Sequence, residues 1–277
     1  MRIVSLLPSA TEIVAELGLA GSLVGRSEEC DWPPDVRGLP VVTASRIDSA
    51  RLDGARIDAA VRAAVADGRS LYALDAELVE RLAPDVIVTQ DLCAVCAVST
   101  AEVCDVGARV ISLDPRTIEE IGGSVIRLGR ELGREEQGHR AARDMLERID
   151  RVRAAVAGLA PRRIFVAEWL DPPFASGHWI PEMVSAAGGF DVLGRAGEHS
   201  VRTTWAAVAA ERPELIVLAP CGFDARRALQ EAAGLDLPAP SVAVDANAFF
   251  ARPSLRIADG VEQLARLLHP EAFATAA

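Results

Sequence analysis

Aromatic residues are scarce in this chain: 4% of 277 residues, with a single Tyr. That scarcity argues against a surface on which successive nucleobases stack. Basic charge is short as well. Lys and Arg together number 29 and Asp and Glu 40, a net −11 with His neutral. Nucleic acids and anionic membranes favour basic faces, so neither is expected as a partner. No apolar run reaches the ~18 residues of a membrane span, so no membrane insertion is expected. An export leader is missing too. Met1-Arg2 leads straight into Ile3-Val4-Ser5-Leu6-Leu7, then Pro8 and soon Glu12, where a secretory signal needs a longer apolar stretch. The chain as read is expected to be cytoplasmic, or extracytoplasmic if a leader has been trimmed from it. Five cysteines is an odd number, which fits a reducing compartment better than a disulfide framework.

Half the residues are apolar and a quarter charged, so a sizeable core is expected and wholesale disorder is excluded. The length suggests two domains or one large one. Short β-branched runs alternate with helical patterns: 3–7, 22–25, 86–89, 109–113, 163–167, 214–218 and 241–244 read as strands buried on both faces. Ser9 with Glu12 three residues on reads as a capping box opening a helix that stops at Gly18. Further helices are expected over 78–82, 180–187 and 257–268. Leu52, Ile57, Val61 and Val65 suggest a solvated surface helix inserted between residues 44 and 76. From about Arg134 to Gly158, Leu146, Ile149, Val152, Val156 and Leu159 recur at helical steps, predicting one helix of ~25 residues. The fold class is therefore α/β: two parallel-sheet α/β lobes bridged by a single long backbone helix, with a ligand cleft between the lobes. The boundaries fall at 1–116 for an N-terminal lobe, 117–160 for the connecting helical segment and 161–277 for a C-terminal lobe.

Ligands of open parallel sheets bind beyond the carboxyl ends of strands, where loops converge. Four of the five cysteines follow strands directly: Cys30, Cys93, Cys96 and Cys221. If the lobes face each other, the four thiols could meet, and four thiolates suit zinc or an iron–sulfur cluster. A single Cys-x-x-Cys is half a site, and a redox dithiol or unrelated core cysteines are the competing readings. Glu29 and Asp31 beside Cys30, Trp32, and Gln90 and Asp91 before Cys93 share these loops as candidate ligand contacts. After the 163–167 strand come Glu168, Trp169, His178 and Trp179. The indoles offer flat stacking faces, or else cap the core. His178 could bind a metal, serve as axial ligand to a chelate or donate a hydrogen bond. No nucleophile elbow, phosphate loop, dinucleotide glycine motif or His-Glu-x-x-His occurs, so binding without turnover is expected rather than catalysis.

Taken in order, several stretches carry a family pattern. They are Ser5-Leu6-Leu7-Pro8-Ser9-Ala10-Thr11-Glu12, Cys30-Asp31-Trp32-Pro33-Pro34, Leu82-Ala83-Pro84-Asp85-Val86-Ile87-Val88, Pro172-Pro173-Phe174-Ala175-Ser176-Gly177 and Arg252-Pro253-Ser254-Leu255-Arg256. This resembles the cobalamin-binding proteins of the vitamin's ABC importer, within the helical-backbone metal receptor superfamily. The likeness implies two α/β lobes on a backbone helix, cobalamin or a related metal chelate as the ligand, and an ABC transporter permease as partner if the chain is exported. The chain departs from the importer proteins in lacking the leader and in carrying Gln90-Asp91-Leu92-Cys93 where they present aromatic and glycine residues. The alternative is a cytoplasmic metalloprotein whose cysteines hold zinc or an iron–sulfur cluster for a redox or cofactor-handling role.

Overall fold

The structure, a computed structural model, describes residues 1–90 and 107–273. Contacts divide the chain into two compact units, Met1–Pro115 with Gly123–Ala142, and Arg116–Gly122 with Arg143–Ala277. No helix among the described residues is long and apolar enough to cross a membrane.

The first unit is built on a four-stranded parallel sheet: β1 (Ile3–Ser5), β2 (Leu23–Arg26), β5 (Val86–Thr89) and β6 (Arg109–Ser112), ordered β2-β1-β5-β6. Helix α1 (Pro8–Val14) follows β1. Here the structure corrects the expected capping box. The N-cap is Leu7, without a side-chain cap, and Pro8 opens the first turn, leaving Ser9 inside the helix and Glu12 buried. Proline suits that position because its missing N–H would be unpaired there anyway. Gly18, at φ +75°, takes the left-handed turn that ends the helical run. The insertion is a two-stranded antiparallel ribbon, β3 (Thr43–Ser45) with β4 (Tyr72–Leu74), enclosing α2 (Gly54–Ala66). Only part of it is solvated decoration: Tyr72 and Leu74 pack with Val42, Val79 of α3 (Ala76–Leu82), Val4 and Ile87 in one apolar cluster.

Helices α4 (Ile118–Glu131) and α5 (Glu135–Val156) each give residues to both units. α5 has 22 residues, about 33 Å at 1.5 Å per residue. Its buried stripe runs Ala142, Met145, Ile149, Val152, Val156; Leu146 is only partly covered and Leu159 lies exposed beyond the helix. In the first unit α4 and α5 approach closely at glycines. A Cβ on Gly129 would lie 2.8 Å from Arg134 O and 3.0 Å from Gly138 Cα.

The second unit carries a mixed sheet, and its antiparallel part was not expected. β7 (Arg162–Leu170) pairs in parallel with β11 (Leu215–Leu218), which pairs with β12 (Ser241–Ala243). The other edge of β7 is shared. Its first residues take β9 (Gly189–Asp191) in parallel, and its last take β8 (Pro173–Ala175) antiparallel, itself extended by β10 (Val201–Arg202). That hairpin explains why β7 runs nine residues where the apolar pattern marks five, so that Glu168 and Trp169 lie within the strand rather than after it. Alternation along β7 sends Phe165 and Ala167 to one face with Ile216, Leu218 and Val208 of α7 (Trp205–Glu211). Helices α6 (Ile180–Ala186) and α10 (Ile257–Leu268) pack together, with α8 (Ala225–Ala232) and α9 (Ala246–Phe249) between β11 and α10 in sequence and α11 (Pro270–Phe273) at the end. Arg148 of α5 ties this unit to α10, donating to Asp259 at 2.6 Å and Glu262 at 2.9 Å.

Candidate functional site

In the first unit the loop after β2 is organised by one buried cation. Arg26, 9% exposed, donates to the carbonyls of Ser27, Glu28, Cys30 and Arg37 at 3.0–3.3 Å. The four carbonyls accept from its two terminal nitrogens, while the buried Nε makes no hydrogen bond among the described residues. Within this loop Cys30 is fully buried, its Sγ 3.0 Å from Thr11 Oγ1 and 3.1 Å from Ser27 Oγ. Trp32 is 44% exposed, Glu29 exposed and Asp31 half-buried, with the Asp31 carbonyl accepting from Arg37 Nε. Gln90 is buried just past β5. Asp91, Cys93 and Cys96 lie outside the described residues.

In the second unit the strand β7 bulges at Glu168: Ala167 and Trp169 oppose consecutive residues, Ala175 and Phe174, so one residue is extra. A bulge re-aims a side chain, and Glu168 turns toward the two ends of the segment 176–200, which carries α6 and β9. Its carboxyl accepts from Gly177 N at 2.7 Å and from the Ser200 hydroxyl. The residue as a whole is half-buried, its carboxyl end enclosed, and the loss of water raises its pKa to about 7. Asp191 is held similarly. Ser176 Oγ donates at 2.6 Å, and the amides of Leu193 and Gly194 also donate; burial lifts its pKa to about 6. The nearby Asp191 carboxylate adds a smaller upward push to Glu168.

On this base the loop brings two imidazoles together. His178 Nε2 lies 3.2 Å from His199 Nδ1, with the rings near perpendicular. His178 has φ +49°, uncommon for a residue with a Cβ, and is fixed there by donation from its amide to Glu198 O and by acceptance from Gly197 N. Gly177 is required beside it, because a Cβ would collide with Glu198 O and Ser200 N. Burial and the neighbouring His199 and Arg116 push the His178 pKa down, favouring the neutral ring. Trp179 is a different case from its neighbour. It is 5% exposed and its indole N–H donates to Phe250 O at 2.8 Å, the placement of a core cap rather than a stacking face.

Trp169 and Phe223 form a second feature, where the adjacent parallel strands β7 and β11 reach their carboxyl ends. Their ring centroids are 5.2 Å apart, and the Arg227 guanidinium sits 4.0 Å from the Phe223 centroid. Cys221 is exposed beside them, its amide donating to Glu168 O. Cys30 and Cys221 belong to different units. Among the described residues, no group of three or more His, Cys, Asp or Glu is arranged to hold a metal ion.

Sequence reading missed His199, Ser200, Asp191 and Arg26. His199 lies 21 residues from His178, and the antiparallel pairing of β8 with β10, strands three and two residues long with α6 and β9 between them in sequence, folds them together. Such short strands leave no periodic trace. Arg26 looks like an ordinary charged residue after a strand; its burial depends on carbonyls that carry no side-chain signal.

The family described as periplasmic binding protein matches residues 3–254. Curated relatives include vitamin B12-binding proteins of Vibrio cholerae serotype O1 and Yersinia pseudotuberculosis serotype O:3. The first is 25% identical over 224 residues and the second 25% over 231; each match covers 78% of this chain and 69% of the relative. Among solved structures, the periplasmic vitamin B12-binding protein of Vibrio cholerae aligns with TM-score 0.69 at 24% identity, covering 99% of this chain and 98% of that one. A periplasmic heme-binding protein from Pseudomonas aeruginosa aligns with TM-score 0.72 at 19% identity, covering 97% and 92%. These likenesses establish the α/β fold expected of the chain.

Proposed function

This chain belongs to the periplasmic binding protein family, the substrate-binding proteins of ABC transporters, and from that premise we propose that its ligand is cobalamin or a related metal-centred macrocycle. The reading is carried by Trp169, a half-buried indole at the carboxyl end of β7, with the buried Phe223 ring packed against it and Arg227 over that ring. Vitamin B12 and heme, the ligands in the names of its relatives, share a broad conjugated ring around a metal. Such a ring buries its area best against flat side chains, with a few polar groups fixing its orientation. Binding proceeds without chemical change, and the loaded protein delivers its ligand to a permease.

The test is titration with cobalamin and, separately, with hemin, following tryptophan fluorescence and the absorption of the macrocycle. Saturable one-to-one binding that weakens on Trp169→Ala supports the proposal. Absence of saturable binding to either compound refutes it.

A further inference from the structure

The two ends of the segment 176–200, which carries α6 and β9, hold two imidazoles in a fixed relation that ligand stacking on Trp169 does not use. We propose that His178 and His199 form a binding site for one divalent first-row transition ion of the zinc type, taken between His178 Nε2 and His199 Nδ1. The inference goes beyond the macrocycle reading and stands apart from it.

The spacing is the first argument. Two nitrogens bound to one tetrahedral zinc at about 2.0 Å each lie about 3.3 Å apart. The two ring nitrogens here are 3.2 Å apart. An ion about 2.0 Å from both nitrogens lies off the line that joins them, so their separation is kept while the rings turn to aim both lone pairs at it.

Preorganisation is the second argument. Each imidazole is flanked by a residue fastened to the same carboxyl: Glu168 accepts from Gly177 N, next to His178, and from the Ser200 hydroxyl, next to His199. Backbone bonds close the loop further, from His178 N to Glu198 O, Gly197 N to His178 O and Arg195 N to Ser176 O. Holding both donors in place removes the ordering cost that a flexible pair would carry.

Protonation and charge are consistent with the assignment. Metal takes neutral imidazole, and the hydrogen bond between the rings requires a free lone pair on the accepting nitrogen. Arg116 opposes a dication, but it is an exposed side chain screened by water. Glu168, ionised above about pH 7, offsets it from below. Of the other charged groups on the packed elements, Glu182 of α6 accepts from Ile118 N, and Glu198 pairs with Arg195 at 3.4 Å. Among the described residues no third protein ligand joins the pair, so water completes the coordination. His199 is exposed, which leaves that water room to enter.

The probe is Zn²⁺ itself, titrated into the full chain at pH 7.5 while the carbon-bound imidazole protons are followed by NMR. The chain has four histidines, so His→Gln variants assign them. The expected result is that one equivalent moves His178 and His199 together and leaves His139 and His269 in place. His178→Gln then weakens the His199 response by about tenfold or more, and His199→Gln does the same to His178. Melting temperature without metal reports whether each variant is folded; the exposed His199 makes its variant the safer of the two. Following the resonances keeps zinc bound by cysteine out of the reading. No concerted shift of the two imidazoles, or an undiminished response of His199 in His178→Gln, overturns the assignment.

Discussion

Each unit holds a stretch of irregular backbone beside its sheet, after β2 in the first and after the antiparallel β8 in the second, and the two are fastened by opposite charges. In the first, the Arg26 guanidinium gathers carbonyls. In the second, the carboxyls of Glu168 and Asp191 gather amides and hydroxyls. A guanidinium stays charged at any ordinary pH, whereas a buried carboxyl titrates. The comparison teaches that the second stretch is held by groups that titrate, whereas the cation that clamps the first keeps its charge, although both do the same work of fixing irregular backbone.

The largest expected effect comes from removing the cation. Arg26→Met strands four carbonyls in a buried loop, and urea unfolding is expected to show a loss of about 3 kcal/mol. Arg26→Lys recovers only part of this, because an ammonium has too few donors to reach all four acceptors.

Next is Gly177→Ala, which forces a methyl group into Glu198 O and Ser200 N. A loss of about 2 kcal/mol is expected, accompanied by separation of the His178 and His199 rings, read by NMR. A small loss with the rings still in contact would show that the loop is softer than its hydrogen bonds indicate.

The pH response distinguishes the two loops. The folded pKa values of Glu168 and Asp191, about 7 and about 6, lie above the ordinary 4.5 and 3.8. The native state therefore binds protons more tightly than the unfolded chain, and stability falls as pH rises from about 4 to about 7. Above pH 7 the cost is complete. Glu168→Gln keeps an acceptor for Gly177 N and Ser200 while removing the charge, so its melting temperature should exceed the parent's by a few degrees at pH 8 and match it near pH 4. An equal gain at both values would mean that Glu168 does not titrate with folding.

The smallest effect is at Arg148, whose bonds to Asp259 and Glu262 are partly open to solvent. Arg148→Ala should cost about 1 kcal/mol, and less in high salt.

How much was legible in the sequence follows from the same physics. Strands such as Val86–Thr89, buried at every position, and helices with a strict apolar stripe, such as Ile257–Leu268, are written in the side chains themselves. The long helix was readable too, though its buried stripe passes through Met145 rather than Leu146. What could not be read was made by backbone. The β8 hairpin lengthens β7 and moves Glu168 and Trp169 into a strand; the bulge aims Glu168; the meeting of His178 with His199 depends on both. The post-strand placement of Cys30 and Cys221 was legible, but the burial of the one and the exposure of the other were not. The resemblance supplied the family, which residue patterns alone would not have reached.

The measurement closest to the central claim is cobalamin binding by the parent protein and by its Trp169→Ala, Cys30→Ser and Cys221→Ser variants, read through the corrin spectrum. Saturable binding that weakens in Trp169→Ala and survives both cysteine changes is the predicted result. No corrin binding by the parent, with bound metal that disappears on either cysteine change, would contradict the account and favour a thiolate-held metal instead.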